Sequence, residues 1–184
     1  MQPSPLTAIL DANVLYPFTL RDTLLRAAAA GLFQARWSDK ILEEAIRNLV
    51  ADHVVTEQQA VRLRAAMTAA FPEARVIGFD KLVATMRNDP KDRHVAAAAV
   101  KAKAQVIVTL NVRDFRRLPE GIDAQTPDDF LVSLFDREPR LLIDIVHEQS
   151  VALRSPPRSF EEIVGALARV VPVFARRVRA SSSE

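Results

Sequence analysis

Four carboxylates stand where chemistry could be done: Asp11, one of Glu43 and Glu44, Asp92 and Asp114. Asp11 directly follows a short apolar stretch, Leu6 to Leu10, that reads as a strand. A carboxylate in that position loses hydration, and its pKa rises unless a cation or hydrogen-bond donors compensate. Neighbouring acids add to the cost, because like charges repel strongly in a cleft of low dielectric constant. A hard divalent cation resolves the conflict. Mg2+ or Mn2+ takes oxygen ligands, keeps several waters and can activate one of them against a phosphodiester. The alternative makes each acid an ordinary cap or loop residue. That alternative suits Asp92, which falls in a helix-opening segment, better than Asp11, after which no helix is expected to begin.

The elements that must carry these acids can be read from the same rows. In the segment 89–115, DPKDRHVAAAAVKAKAQVIVTLNVRDF, Asp89 is the expected N-cap and Pro90 suits the first helical position. Asp92 then falls at the third helical position, facing the positive end of the helix dipole. After the alanine-rich helix, Val106 to Leu110 form an almost unbroken apolar run, as in a parallel strand covered on both faces. The chain turns at Asn111 and delivers Asp114 beyond the strand's carboxyl end, where sites in open α/β sheets lie.

Upstream, helices are expected over 19–30, closed by Gly31, over a segment capped by Ser38 or Asp39, and from Thr56-Glu57 to Phe71. Strands are expected at 33–37 and 74–79, with a helical turn over 81–87. This alternation predicts an α/β fold with a mostly parallel central sheet flanked by helices. From Thr126 onward the pattern is helical throughout: a helix opened by Pro127, another over 140–153, a proline-rich break at 155–157 and a last helix over 159–179. Pro172 should kink or split that last helix. The tail, 180–184, is expected to be disordered. The reading divides the chain into a core, 1–125, and an all-helical extension, 126–184.

Composition narrows the classes. The 184 residues contain no cysteine, which removes disulfides and thiolate chemistry and fits a reducing, cytoplasmic compartment. The first residues have neither a basic region nor a long apolar stretch, so no signal peptide is expected. No apolar run approaches the ~20 residues that span a bilayer, so no membrane association is expected. A net charge of +2 does not announce nucleic-acid binding. Asn13 stands where a haloacid-dehalogenase-like phosphatase needs a second aspartate, the four glycines are too scattered for a phosphate loop, and no G-x-S-x-G elbow exists. His53, His94 and His147 are isolated, and only His94, near Asp92, lies close to the acids in sequence.

Three motifs together resemble those of the PIN-domain nucleases, in particular the VapC-type toxins of bacterial toxin–antitoxin pairs. LDANVLYP resembles the opening strand-and-acid motif, with Asp11 as first metal ligand and Asn13 in the small polar position after it. SDKILEEAIRNL resembles the glutamate-bearing helix. Periodicity does not separate Glu43 from Glu44, whereas the family's Ser-to-Glu spacing, counted from Ser38, favours Glu44. The segment 89–115 matches the third acid at Asp92 and a closing T-x-N-x-x-D-F element from Thr109 to Phe115. Many members carry an acid near Asn111, so Asn111 and Asp114 both stand at the fourth position. The match covers about residues 6–125, and the extension resembles helical additions on a subset of these toxins.

The resemblance implies metal-dependent hydrolysis of single-stranded or loop RNA. Asp11, Glu44, Asp92 and Asp114 would hold Mg2+ or Mn2+, with Asn13, Asp89, Thr109 and Asn111 in support. Arg87, Arg93, Arg113, Arg116 and Arg117 lie in the same segment as the acids and are candidates to hold RNA phosphates. A cognate antitoxin protein is the implied partner, and homodimers are common in the family.

Overall fold

The computed structural model describes residues 6–182. In chain order these form β1 (Thr7–Leu10), α1 (Ala12–Leu15), α2 (Phe18–Ala29), β2 (Gln34–Arg36), α3 (Asp39–Ala51), α4 (Glu57–Ala70) and α5 (Asp80–Val83). There follow α6 (Arg93–Ala102), β3 (Val106–Val108), β4 (Asp123–Gln125), α7 (Pro127–Arg137), α8 (Pro139–Ala152), α9 (Phe160–Ala168) and α10 (Pro172–Ser181). Packing divides them into two compact units, residues 6–16 with 33–125 and residues 17–32 with 126–182.

The first unit is built on a four-stranded parallel sheet in the order β2-β1-β3-β4. The two central strands, TAIL and VIV, are buried along their whole length, which is why both read as continuous apolar runs rather than as alternation. Helix α6 packs on β1 and β3. Its run Ala96–Ala99 is fully buried, and side chains this small let a helix approach a sheet closely. Ser38 caps α3 by accepting from the Ile41 amide at 3.2 Å, leaving Ile41, Leu42, Ala45 and Leu49 on the buried face.

Several sequence expectations change here. The expected strand over 74–79 does not form. A 3-10 turn from Pro72 to Ala74 and a positive φ of 73° at Gly78 leave only the Arg75 bridge to Trp37. The missed strand is β4, a polar edge strand that accepts the β3 ladder on one side only. The helix after Asp89 begins as a 3-10 turn over Pro90–Asp92, and α6 proper starts at Arg93, one turn later than Asp89 and Pro90 imply. A helix does begin immediately after Asp11: the Asp11 carboxylate caps α1.

The second unit is helical throughout. Leu20, Leu24, Phe130, Leu142, Val164 and Phe174 are among its fully buried side chains. Helix α2, read from the sequence as part of a 1–125 core, packs with α8. A buried pair helps fix that choice: the Thr23 hydroxyl donates to Gln149 Oε1 at 2.9 Å, and Gln149 Nε2 donates to the Thr19 carbonyl at 3.2 Å. The expected last helix is split at Pro172, which has no amide proton to continue α9 and instead opens α10. Asp128 takes up the donors exposed at that new end, accepting from Val173 N at 3.0 Å and Phe174 N at 2.8 Å. Ala180 and Ser181, expected in a disordered tail, close α10, and residues 183–184 lie outside the described residues.

Candidate functional site

Asp11 leaves β1 at its carboxyl end, where its amide still donates to Val108 O at 3.1 Å and so ties the end of β1 to β3. It is only 6% exposed. One carboxylate oxygen accepts from the Ala12 amide at 2.8 Å. The other accepts from the Thr109 hydroxyl at 2.7 Å and from Asn13 Nδ2 at 3.2 Å. Burial pushes the Asp11 carboxyl up to about 6; the donors from Thr109 and Ala12 oppose that rise, and the charges of Asp92 and Glu44 add to it.

Asn13 and Thr109 lock this corner. Asn13 Oδ1 accepts from the Leu110 amide at 3.0 Å, its Nδ2 lies 3.1 Å from the Thr109 hydroxyl, and that hydroxyl accepts from the Asn111 amide at 3.1 Å. A fully buried threonine thus connects the two strand ends that leave β1 and β3. Asn111 contributes through its backbone: its amide binds Thr109, and its carbonyl accepts from the Asp114 amide at 2.9 Å.

Glu43 and Glu44 separate clearly. Glu43 is exposed, whereas Glu44 is half-buried and its charge reaches Asp11. Glu44 Oε2 also lies 3.9 Å from Nε2 of His94. His94 is only 4% exposed, and burial, with Lys40 nearby, pushes its imidazole down to about 4. His94 is therefore neutral at physiological pH and forms no ion pair with Glu44.

Asp92 and Asp114 come together through a residue that the sequence reading did not single out. Lys91 Nζ donates to Asp92 Oδ2 at 2.8 Å and to Asp114 Oδ2 at 2.5 Å. These contacts, that to Asp114 foremost, raise the ammonium pKa above its ordinary value. Asp92, expected at the third helical position, stands instead at the N-cap of α6, where its side chain makes no capping bond and faces Lys91. Asp89 builds the loop, accepting from the Lys91 amide at 3.1 Å and donating its own amide to Asp114 O at 3.0 Å. The signal for Lys91 was present in the sequence: D-P-K-D places a cation directly beside an expected ligand.

Asp11, Glu44 and Asp92 therefore share one electrostatic neighbourhood, and Asp114 joins Asp92 through Lys91. Such an all-oxygen, anionic donor set has the chemistry of a hard divalent cation site. Among the described residues, no three acidic or histidine side chains stand ready-converged around one metal position.

The arginines divide. Arg93 is half-buried, and its Nε donates to the Asn88 carbonyl at 3.3 Å, so it braces the loop. Arg87, Arg113, Arg116 and Arg117 are exposed. Arg87 and Arg117 line a cleft of about 360 Å3 together with Thr85, Met86, Leu118 and Pro119, and Arg117 holds a left-handed backbone, φ 65°.

A family model described as "PIN domain" matches residues 7–113, the span that contains Asp11, Glu44 and Asp92. A second, described as "VapC50 C-terminal domain", matches residues 127–180. A Mycobacterium tuberculosis protein described as "Putative ribonuclease VapC50" is 37% identical over 116 residues, covering 61% of this chain and 66% of the relative's own length. The strand-end aspartate, the helix-borne glutamate and three of the four sheet strands, β1, β2 and β3, lie inside the longer matched span, and the chain belongs to the PIN domain family.

Proposed function

We propose that this chain is an endoribonuclease, the toxin of a type II toxin–antitoxin pair, which hydrolyses RNA phosphodiesters with Mg2+ or Mn2+. The single observation that carries the reading is the Asp11 carboxylate at a strand end, made less acidic chiefly by burial, with the charges of Asp92 and Glu44 adding to the rise. Those charges are unfavourable together unless a cation joins them. The likeness to a protein described as a putative ribonuclease supports the same class of reaction.

Asp11, Glu44, Asp92 and Asp114 would hold the cation, directly or through water. When bound, it would lower the pKa of a coordinated water and neutralise charge on the departing oxygen. The chain's own residues do the rest. Thr109, Asn13 and the Ala12 amide fix the Asp11 carboxylate in one orientation, which a ligand needs if it is to hold an ion without rearranging. Asp89 and Asn111, through backbone contacts, hold Asp114 near Asp92. Arg87, Arg113, Arg116 and Arg117 are placed to bind RNA phosphates, while Arg93 supports the loop that carries the acids. An antitoxin protein as partner, a homodimer and a cytoplasmic location follow from the same reading. No helix among the described residues is long and apolar enough to cross a membrane.

The test is the chemistry of the product ends. RNA incubated with the purified protein in Mg2+ or Mn2+ should be cut by water, leaving no 2′,3′-cyclic phosphate, and EDTA should stop the reaction. Cyclic phosphate ends formed in EDTA would contradict the reading. The rival, a catalytically silent module that binds RNA or protein, draws on one observation: an ammonium already bridges Asp92 and Asp114. It predicts binding with no metal-dependent products.

A further inference from the structure

The ammonium between the acids invites a more specific account. We propose that Lys91 is the resident counter-ion of the acid site: it holds Asp92 and Asp114 together while no metal is bound and must withdraw for a divalent cation to bind. Lys91 thereby sets the metal affinity of the site. The inference rests on the metal-site reading above and adds a residue that reading does not use.

The geometry supplies the argument. The two carboxylates come from separate pieces of chain, one at the head of α6 and one in the turn after β3, and a single Nζ contacts both at 2.8 and 2.5 Å. Both contacts use an Oδ2 atom, so one oxygen of each carboxylate is already occupied. Mg2+ needs ligand oxygens at about 2.1 Å, and an ammonium on the same atoms competes with it both for space and for charge. The two side chains are 15% and 28% exposed, so removing the ammonium without replacing it leaves two poorly hydrated carboxylates facing one another.

Withdrawal is inexpensive. The Lys91 side chain is 60% exposed, and its flexible four-carbon stem can return the ammonium to water. The backbone need not move with it, because the Lys91 amide is held separately by Asp89. The lysine therefore exchanges with a metal by side-chain rotation alone, while Asp92 and Asp114 keep their positions.

The test is direct Mn2+ binding to metal-free protein without RNA, followed by calorimetry and by the electron paramagnetic resonance of free Mn2+. Wild type is compared with Lys91→Met and, as a second neutral variant, Lys91→Ala. Both variants should bind Mn2+ about threefold to tenfold more tightly, the range expected for releasing a partly exposed ion pair. Their melting temperatures should be lower without metal and should rise further on adding Mn2+ than that of wild type. Wild-type affinity or weaker in both folded variants overturns the assignment of Lys91 and leaves the metal site standing. Failure of wild type and variants alike to bind Mn2+ overturns the metal site and this inference together.

Discussion

In the helical unit, polar side chains that anchor an element meet their partners: Thr23 with Gln149, Asp128 with the first amides of α10, and Ser159 with Glu162 in a capping box. The sheet unit has such anchors too, Ser38 on α3 and Thr56 with Gln59 on α4, but it also holds polar groups left in tension. Asp11 is buried near two other acids. Among the described residues, the buried side-chain atoms without a hydrogen-bond partner, Asn88 Nδ2 and Oδ1 and His94 Nδ1, all belong to the sheet unit. Both units have well-packed apolar cores, so packing does not explain the difference. Satisfied polar pairs specify a shape, whereas clustered acids and orphaned amides store free energy that a cation or substrate can release.

The comparison can be broken most forcefully at Asp11. Asp11→Asn should lower RNA cleavage by at least ~10^3-fold, the loss expected of the metal ligand proposed above. Circular dichroism should show the variant folded. The counterpart in the helical unit is Phe174→Ala. Phe174 is fully buried and packs edge-on against Phe135, so its truncation should cost about 3–5 kcal/mol in urea denaturation. A stability loss at Asp11→Asn as large as that at Phe174→Ala would erase the distinction between the units.

A third effect is smaller and depends on pH. The Asp11 carboxyl is raised from 3.8 to about 6 in the folded chain, so the folded state binds the proton more tightly than the unfolded state. Stability contributed by the protonated form is thus present at low pH and is lost as pH rises from about 4 through about 6. The loss is on the order of 2–3 kcal/mol for a shift of this size. Denaturation in EDTA at pH 4.5 and pH 7 should reveal that fall in wild type, and Asp11→Asn should lack its share of it. The smallest effect is expected at Asp128→Ala, which removes two contacts from the start of α10. It should cost about 1–2 kcal/mol and leave RNA cleavage per folded molecule unchanged.

What could be read in advance follows the range of the forces involved. The strand before Asp11, a cap at Ser38 or Asp39 and the alanine-rich helix depend on neighbours within a few residues, and they were legible. The division at Pro172 was legible for the same reason. Residues 74–79 were misread because an apolar run makes a strand only where a neighbour offers a ladder, and Gly78 turns the chain away too soon. β4 was missed because a polar edge strand has no apolar pattern of its own. The packing of α2 with α8 lies in a buried Thr23–Gln149 pair 126 residues apart in sequence. Asp11, Glu44, Asp92 and Asp114 stand out in the sequence by type and order, and the fold brings their charges into one neighbourhood. The Lys91 bridge and the burial of His94 required the fold, since both depend on which segments meet.

The most direct measurement places wild type, Asp11→Asn and Asp92→Asn side by side on one RNA pool with Mn2+, with Mg2+ and with EDTA, after circular dichroism has established that all three are folded. Wild type alone should cut, in a metal-dependent reaction abolished by EDTA and absent in both variants. Equal cutting by all three folded proteins would contradict the metal-site reading, because the reaction would then owe nothing to the acids that Thr109, Asn13 and Lys91 hold in place.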